Sequence, residues 1–108
     1  MNLDRAFAAL ADPTRRCIVT ALRSGPQDVG TLAEPLPISR PAVSKHLAVL
    51  VAAGLIEVDK RGRRRLYRLR PEAFAELRTW LDQVARTWDV ALERFRRHVE
   101  GDDGDDPS

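Results

Sequence analysis

The sequence predicts a mainly α-helical fold of the α+β type, with about five helices, a two-stranded β-hairpin and a long C-terminal helix. Two observations carry this prediction. Segment 39–50 has the capping residues and the apolar spacing of a helix with a polar N-terminal end. The basic run 60–65 follows it closely, between two strand-like segments. A helix suited to a DNA groove, followed by a cationic hairpin, is the order of elements in a winged helix-turn-helix.

Three helices are expected before residue 39. Residues 3–10 carry an apolar stripe at helical spacing. Asp12–Pro13 combines a capping residue with a first-turn proline, and so predicts a second helix that runs to about Arg23. Asp28 predicts the start of a short third helix, which Pro35 ends because proline clashes with the carbonyl four residues before it.

The fourth helix has the features of a DNA recognition helix. Ser39 is a good capping residue, and Gly54 is placed to end the helix in a left-handed conformation. Val43, Leu47 and Leu50 share one face and should point into the core. An ordinary solvated amphipathic helix is the alternative. The predicted DNA contacts in this helix are Ser39, Arg40, Pro41, Ser44, Lys45 and His46, of which His46 either touches a phosphate or packs beneath the helix.

The hairpin is the second candidate DNA-binding element. Segments 55–59 and 64–70 alternate like strands, and Gly62 lies between them as the turn residue. Five of the six residues in 60–65 are cationic, and a polyanion would relieve their mutual repulsion. The alternative is an edge that improves solubility and blocks aggregation. The predicted DNA contacts in the hairpin are Arg61, Arg63, Arg64 and Arg65.

The charge is concentrated around these two elements. Between Arg40 and Arg70 the chain has nine Lys or Arg and two acids, a surplus of seven positive charges. The whole chain carries only +2, partly because the tail 101–108 contains four Asp. We expect one domain over residues 1–100 and a disordered acidic tail over 101–108.

The last helix is expected to begin at Pro71 and to run to about Val99. Its apolar residues recur at intervals of three and four over three heptads. A helix of about 28 residues spans ~42 Å, whereas a domain of this size has a radius of gyration near 13 Å. The overhanging apolar seam predicts a homodimer, the alternative being a helix folded back on its own domain. The predicted interface residues are Leu3, Phe7, Leu10, Leu77, Leu81, Val84, Trp88, Leu92 and Phe95.

These motifs together resemble the ArsR/SmtB-type winged helix-turn-helix repressors over about residues 2–99. The resemblance is carried by segments 9–16, 41–47, 53–56, 62–65 and 67–69. It implies a homodimeric transcriptional repressor, paired through its first and last helices, that binds an inverted repeat near its own operon. It also implies that two recognition helices enter successive major grooves about one helical turn apart.

The ligands of the metal-sensing members of that family are absent. The third helix, within 30–34, has no Cys-x-Cys pair, and neither Asp82 nor His98 begins the Asp-x-His or His-x-x-Glu pattern of the last helix. The chain therefore resembles a non-metal-sensing subgroup, with no metal and no cofactor expected. Cys17, the single cysteine, is expected to be a small core residue, a redox switch being the alternative.

The expected function is that of a sequence-specific DNA-binding regulator. The sequence has no grouping of residues typical of an enzyme active site. It has no segment typical of a signal peptide or membrane span, which predicts a cytoplasmic protein. The expected partners are double-stranded DNA, a second copy of the chain and an unknown small-molecule inducer. A winged-helix protein-interaction module that docks through Trp80 and Trp88, or a nonspecific architectural DNA-binding protein, is the alternative.

Overall fold

The computed structural model describes the backbone of residues 1–105 and the side chains of residues 1–100. This part of the chain contains five α-helices and one β-hairpin, as the sequence predicts, and one short 3-10 helix that the sequence analysis does not predict. The elements are α1 (Leu3–Leu10), α2 (Pro13–Ala21), the 3-10 helix (Leu22–Ser24), α3 (Val29–Ala33), α4 (Arg40–Ala52), β1 (Ile56–Arg61), β2 (Arg64–Leu69) and α5 (Pro71–Asp105).

The described chain divides into two compact units. The first comprises Met1–Ala75 and holds every element from α1 to β2, with the start of α5. The second begins at Glu76, inside α5, and consists of the rest of that helix. The single domain expected over residues 1–100 stays a prediction.

Polar side chains cap the helices at the predicted positions. Asp12 accepts a hydrogen bond from the Arg15 backbone N–H at the start of α2, at 3.1 Å. Asp28 does the same for α3, and Ser39 for α4, where it accepts from the Ala42 N–H at 3.3 Å. Each cap satisfies a backbone donor that has no partner inside its own helix.

Two helix ends differ from the sequence-based prediction. α2 stops at Ala21, and the tighter 3-10 helix covers the residues up to Ser24, since short 3-10 turns commonly replace the last turn of an α-helix. α5 continues to Asp105 rather than ending near Val99, because its hydrogen bonds are local and need no tertiary contact. The end of the expected acidic tail, 106–108, lies outside the described residues.

A two-bond cap ends α4 at the predicted glycine. Gly54 has φ +77° and donates its N–H to the carbonyl of Val51 at 3.0 Å. Leu55 donates to the carbonyl of Leu50 at 3.1 Å. This pair of bonds is the Schellman motif, which requires a left-handed residue where Gly54 stands.

The core of the first unit lies between the helices and the base of the hairpin. Val43, Leu47 and Leu50 of α4 are all completely buried, which confirms the predicted apolar face. Ile18 of α2 and Ile56 of β1 are each 1% exposed. The other buried apolar residues of this unit are Ala6, Ala9, Leu22, Leu32, Ala33, Ala53, Leu55, Tyr67 and Ala73.

The hairpin is a two-stranded antiparallel sheet with a two-residue turn. Ile56 pairs with Leu69 at its base and Arg61 pairs with Arg64 at its tip. Gly62, with φ +61°, occupies the first turn position, as a type II′ turn requires. On the free edge of β2, Gln27 and Tyr67 exchange two backbone hydrogen bonds of 3.0 and 2.9 Å, which tie the residues before α3 to the hairpin.

Gly54→Ala should lower the free energy of unfolding by roughly 1–2 kcal/mol, the cost of a left-handed conformation for an L residue. No atom lies within 4 Å of the added Cβ, so the cost is conformational and not steric. Gly30→Ala is the control, because it lies inside α3 and meets only the movable guanidinium of Arg40, 3.2 Å from Nη2. Urea unfolding should show a loss for Gly54→Ala alone; equal stabilities would contradict this account of the cap.

Candidate nucleic-acid interface

The helix-turn-helix consists of α3 and α4, joined by residues 34–39. Because Val43, Leu47 and Leu50 are held in the core, the rotation of α4 about its axis is fixed. The opposite side of its N-terminal half is therefore presented to solvent. Five of the six predicted contacts in this element are exposed: Ser39, Arg40, Pro41, Ser44 and Lys45.

Two of these exposed residues are cations without an internal partner. The side chains of Arg40 and Lys45 make no hydrogen bond or ion pair within the described part of the chain. The Arg40 guanidinium lies against α3, with Nη2 3.2 Å from the position that a Cβ on Gly30 would take. The N-terminal end of a helix also carries a partial positive charge, so both cations add to a field that attracts phosphate.

His46 is the one predicted contact of this element that is not exposed at the surface of α4. It is half-buried, and its Nδ1 atom is 3.4 Å from Nη1 of Arg15. Arg15 is itself anchored, because its Nε donates to the Ala9 carbonyl at 2.6 Å. His46 thus packs against the junction of α1 and α2, and its contact with a DNA phosphate stays a prediction.

Asp12 completes this cluster beneath the recognition helix. The backbone N–H of Arg15 donates to its carboxylate, and the Arg15 guanidinium lies 4.0 Å away. These interactions, above all the backbone hydrogen bond, lower the pKa of Asp12 below its ordinary value of 3.8. The positive charge of Arg15 acts in the same direction.

The hairpin places like charges directly opposite each other. Lys60 pairs with Arg65, and Arg61 pairs with Arg64. All four side chains are exposed, as is Arg63 in the turn. Opposed like charges destabilise an antiparallel pair, so the tip of the hairpin is a concentrated cationic site rather than a feature that stabilises the fold.

Acidic residues accompany part of this cationic site. The ion pairs join Arg61 Nε to Asp59 Oδ2 at 3.1 Å, Arg64 Nη2 to Asp28 Oδ2 at 3.5 Å, and Arg68 Nε to Glu57 Oε1 at 2.6 Å. The Thr31 N–H donates to Asp28 and is the main cause of its lowered pKa, to which Arg64 contributes.

Lys60 is a candidate DNA contact that the sequence-based set left out. It is exposed, and its side chain has no partner within the described residues. Its membership of the basic run 60–65 was the available signal. The run alone did not separate Lys60 from the paired Arg61, because the pairing depends on the register of the hairpin and on acids elsewhere in the chain.

An apolar surface on α5 is uncovered in a single chain. The exposed fractions are 51% for Leu81, 62% for Trp88 and 66% for Phe95. Val84 and Leu92 are exposed as well, at 46% and 42%. Of the other predicted interface residues, Leu77 is already buried in the single chain, whereas Leu3, Phe7 and Leu10 are half-buried.

Cys17 lies on the surface, which makes the expected core position wrong. Its neighbour Ile18 takes the buried position of α2 instead. Within the residues that the structure describes, no group of three or more His, Cys, Asp or Glu is placed to hold a metal ion. None of the described helices is long and apolar enough to span a membrane.

Comparison with known proteins agrees with this arrangement. The helix-turn-helix domain family matches residues 10–59. The chain is 52% identical over 102 residues to the HTH-type transcriptional regulator Rv2034 of Mycobacterium tuberculosis. This alignment covers 93% of this chain and 92% of the relative. The chain is also 33% identical over 79 residues to the transcriptional repressor SdpR of Bacillus subtilis, in an alignment that covers 73% of this chain and 88% of SdpR.

A solved structure shows the same fold. It is the solution structure of the homodimeric winged helix-turn-helix DNA-binding domain of a possible ArsR-family transcriptional regulator from Mycobacterium bovis. The TM-score is 0.64 and the identity 30%, and the match covers 78% of each chain.

Asp12→Asn should change how stability depends on pH, because Asn still caps α2 but does not titrate. The folded pKa of Asp12 is lowered, so its contribution is complete above the unfolded value of about 3.8 and is lost as the pH falls through the folded value. In urea unfolding, the wild type should exceed the variant most near pH 7, and the gap should close in acid. Asp89→Asn on α5 controls for the lost charge; a gap independent of pH would contradict this role of Asp12.

Proposed function

Because the chain belongs to the ArsR/SmtB family of winged helix-turn-helix transcriptional regulators, we propose that it is a homodimeric repressor that binds an inverted-repeat operator. One observation carries the proposal. α4 buries one face completely and presents unpaired cations, Arg40 and Lys45, at its N-terminal end. The same compact unit contains a hairpin with an exposed cationic tip.

The two elements have different tasks in this proposal. The N-terminal end of α4 enters the major groove, where Arg or Lys donates to the O6 and N7 acceptors of guanine. Arg40 and Lys45 take this role, and Ser44 bonds a base edge or a phosphate. The hairpin binds phosphates through its exposed cations, for which the sequence predicts Arg61, Arg63, Arg64 and Arg65. Phosphate contacts hold the protein in register but carry no sequence information.

The exposed face of α5 supports the homodimer. Leu81, Val84, Trp88, Leu92 and Phe95 leave a contiguous apolar stripe in water, and a stripe of this kind marks a protein interface. In a two-fold symmetric dimer, the stripe of one chain packs against the same stripe of the other chain. The proposed interface also includes Leu77 and the α1 residues Leu3, Phe7 and Leu10. Two symmetric recognition helices then read two half-sites of an inverted repeat.

A repressor needs a signal that releases the DNA, and we assign that role to a small-molecule inducer. The apolar surface around Trp80, Val84 and Trp88 lies on the proposed dimer stripe, so an inducer that binds there would act through the pairing of the two chains. The proposal includes no catalytic activity, and it places the protein in the cytoplasm, where a bacterial-type repressor meets its operator.

Lys45→Ala should weaken binding to the operator by about 1–3 kcal/mol if Lys45 contacts a base edge. The measurement is fluorescence anisotropy at ~150 mM salt, with the gene's own upstream DNA and a scrambled duplex of equal length. The wild type should bind its own DNA at least a hundredfold more tightly, a ratio within the range of specific regulators.

Arg23→Ala is the matched control, because it removes an exposed cation from the 3-10 helix, outside both DNA-binding elements. It should leave the ratio between the two duplexes unchanged, whereas Lys45→Ala should reduce it. Equal affinity of the wild type for both duplexes would show a nonspecific DNA-binding protein. Failure to bind either duplex would overturn the proposed function.

Trp88→Lys should convert the dimer into a monomer, because it places a charge in the middle of the apolar stripe. Val90→Lys is the control: Val90 is 52% exposed, but it lies on the opposite side of α5. Analytical ultracentrifugation should give a monomer for Trp88→Lys and a dimer for Val90→Lys and the wild type. A dimer that survives Trp88→Lys, or a monomeric wild type, would contradict the proposed interface.

A further inference from the structure

The two faces of the hairpin carry different charge. In an antiparallel pair, directly opposed residues share a face, and successive residues alternate between faces. One face, called here the inner face, holds the pairs Ile56–Leu69, Val58–Tyr67 and Lys60–Arg65. The other, called the outer face, holds Glu57–Arg68, Asp59–Leu66 and Arg61–Arg64. The inner face packs on the core at its base, where Ile56 is 1% and Tyr67 9% exposed.

Every cation of the outer face has an acidic partner. Arg68 pairs with Glu57 across the two strands, and Arg61 pairs with Asp59 two residues before it on β1. The third partner comes from outside the hairpin, because Gln27 pairs with Tyr67 and thereby brings the next residue, Asp28, beside Arg64. The three cations and three acids sum to zero, so the outer face has no net charge even where an exposed ion pair opens.

The tip of the inner face has no such compensation. Lys60 and Arg65 lie opposite each other, and Arg63 follows Gly62 in the turn. All three side chains are exposed and make no hydrogen bond or ion pair within the described residues. This group of three residues, the free cation group, carries a net charge of +3.

We propose that the hairpin binds the phosphates of double-stranded DNA through the free cation group, and that Asp28, Glu57 and Asp59 keep the outer face from binding them. The inference rests on the proposed function and deepens it. Phosphate is drawn to uncompensated positive charge, and at physiological salt charges interact over only about 8 Å. Each face therefore acts on DNA largely through its own net charge, which adds Lys60 to the DNA contacts and removes Arg61 and Arg64.

The inner face also gives the hairpin a direction. Its base joins the core in which Val43, Leu47 and Leu50 of α4 are buried, and β1 contacts α4. Lys60 and Arg65 therefore lie on the face of the sheet that is turned toward the helices, and Arg63 lies next to them in the chain, in the turn. A duplex that meets α4 and this face is held from the helical side of the hairpin, and the neutral outer face stays in solvent.

Two adjacent pairs of the hairpin allow a matched test. Lys60→Gln/Arg65→Gln and Arg61→Gln/Arg64→Gln each remove two exposed positive charges from directly opposed positions. Affinity for a nonspecific duplex is measured by anisotropy between ~50 and ~200 mM salt. The first variant should lower affinity several-fold and reduce the slope of log K against log salt by roughly 1–2, since each lost phosphate contact contributes about 0.9. The second leaves Asp28 and Asp59 unpaired, so it should lower affinity less than the first variant does. It should change the slope by less than about 0.5, because no phosphate contact is lost.

Two further variants separate contact from total charge. Asp59→Asn/Arg61→Gln leaves the net charge unchanged and should leave affinity and slope unchanged. Asp28→Asn keeps the cap of α3 but releases Arg64, so it should raise nonspecific affinity and steepen the slope by up to about 0.9. Circular dichroism melting should show no loss of stability in the Lys60/Arg65 variant, since opposed like charges are removed.

The outcomes distinguish this inference from the proposed function. If the wild type binds no DNA, the proposed function itself fails. If the wild type binds DNA and both double variants lower its affinity equally, the function stands and the assignment to one face is overturned. The same conclusion follows if neither double variant lowers the affinity. A loss of affinity in the neutral Asp59→Asn/Arg61→Gln variant would also overturn it, because it would place Arg61 on the DNA.

Discussion

The burial of one face of α4 is the constraint on which the rest of the structure depends. Val43, Leu47 and Leu50 are completely removed from water, and burying a side chain of this kind contributes roughly 1.5–3 kcal/mol. A rotation of α4 about its axis would expose them, so the outward direction of Arg40 and Lys45 follows from packing. The sequence specifies the reading face indirectly, through the residues on the other side of the helix.

Polar contacts then set the position of this helix within the unit. Arg15 reaches the Ala9 carbonyl on one side and His46 on the other, while its backbone binds Asp12. The junction of α1 and α2 is thereby joined to the underside of α4. At the N-terminal end of α3, Asp28 caps the helix and pairs with Arg64 of the hairpin. The helix-turn-helix and the hairpin therefore share residues that serve both local structure and the placement of the DNA-binding surface.

The part of this arrangement that the sequence predicts is the local part. Helix caps, the left-handed Gly54 and the apolar face of α4 depend on residues within one or two turns, and their spacing is visible in the chain. The pairing of Arg64 with Asp28 joins residues 36 positions apart, and that of Arg15 with His46 joins residues 31 apart. No spacing rule encodes such contacts. The same reason explains why Lys60 was left out. The error at Cys17 is local instead, because Ile18 beside it lies on the buried face of α2 and Cys17 does not.

The two-residue turn of the hairpin has a consequence for the thermodynamics of association. A long flexible wing would have to lose conformational entropy when it settled on a duplex, and that loss would weaken binding. Here Gly62 and Arg63 close the strands with the shortest common connection, and β2 is anchored on its other edge by Gln27. The backbone that carries the cations is ordered during folding, so most of the entropic cost of arranging it is met before any encounter with DNA.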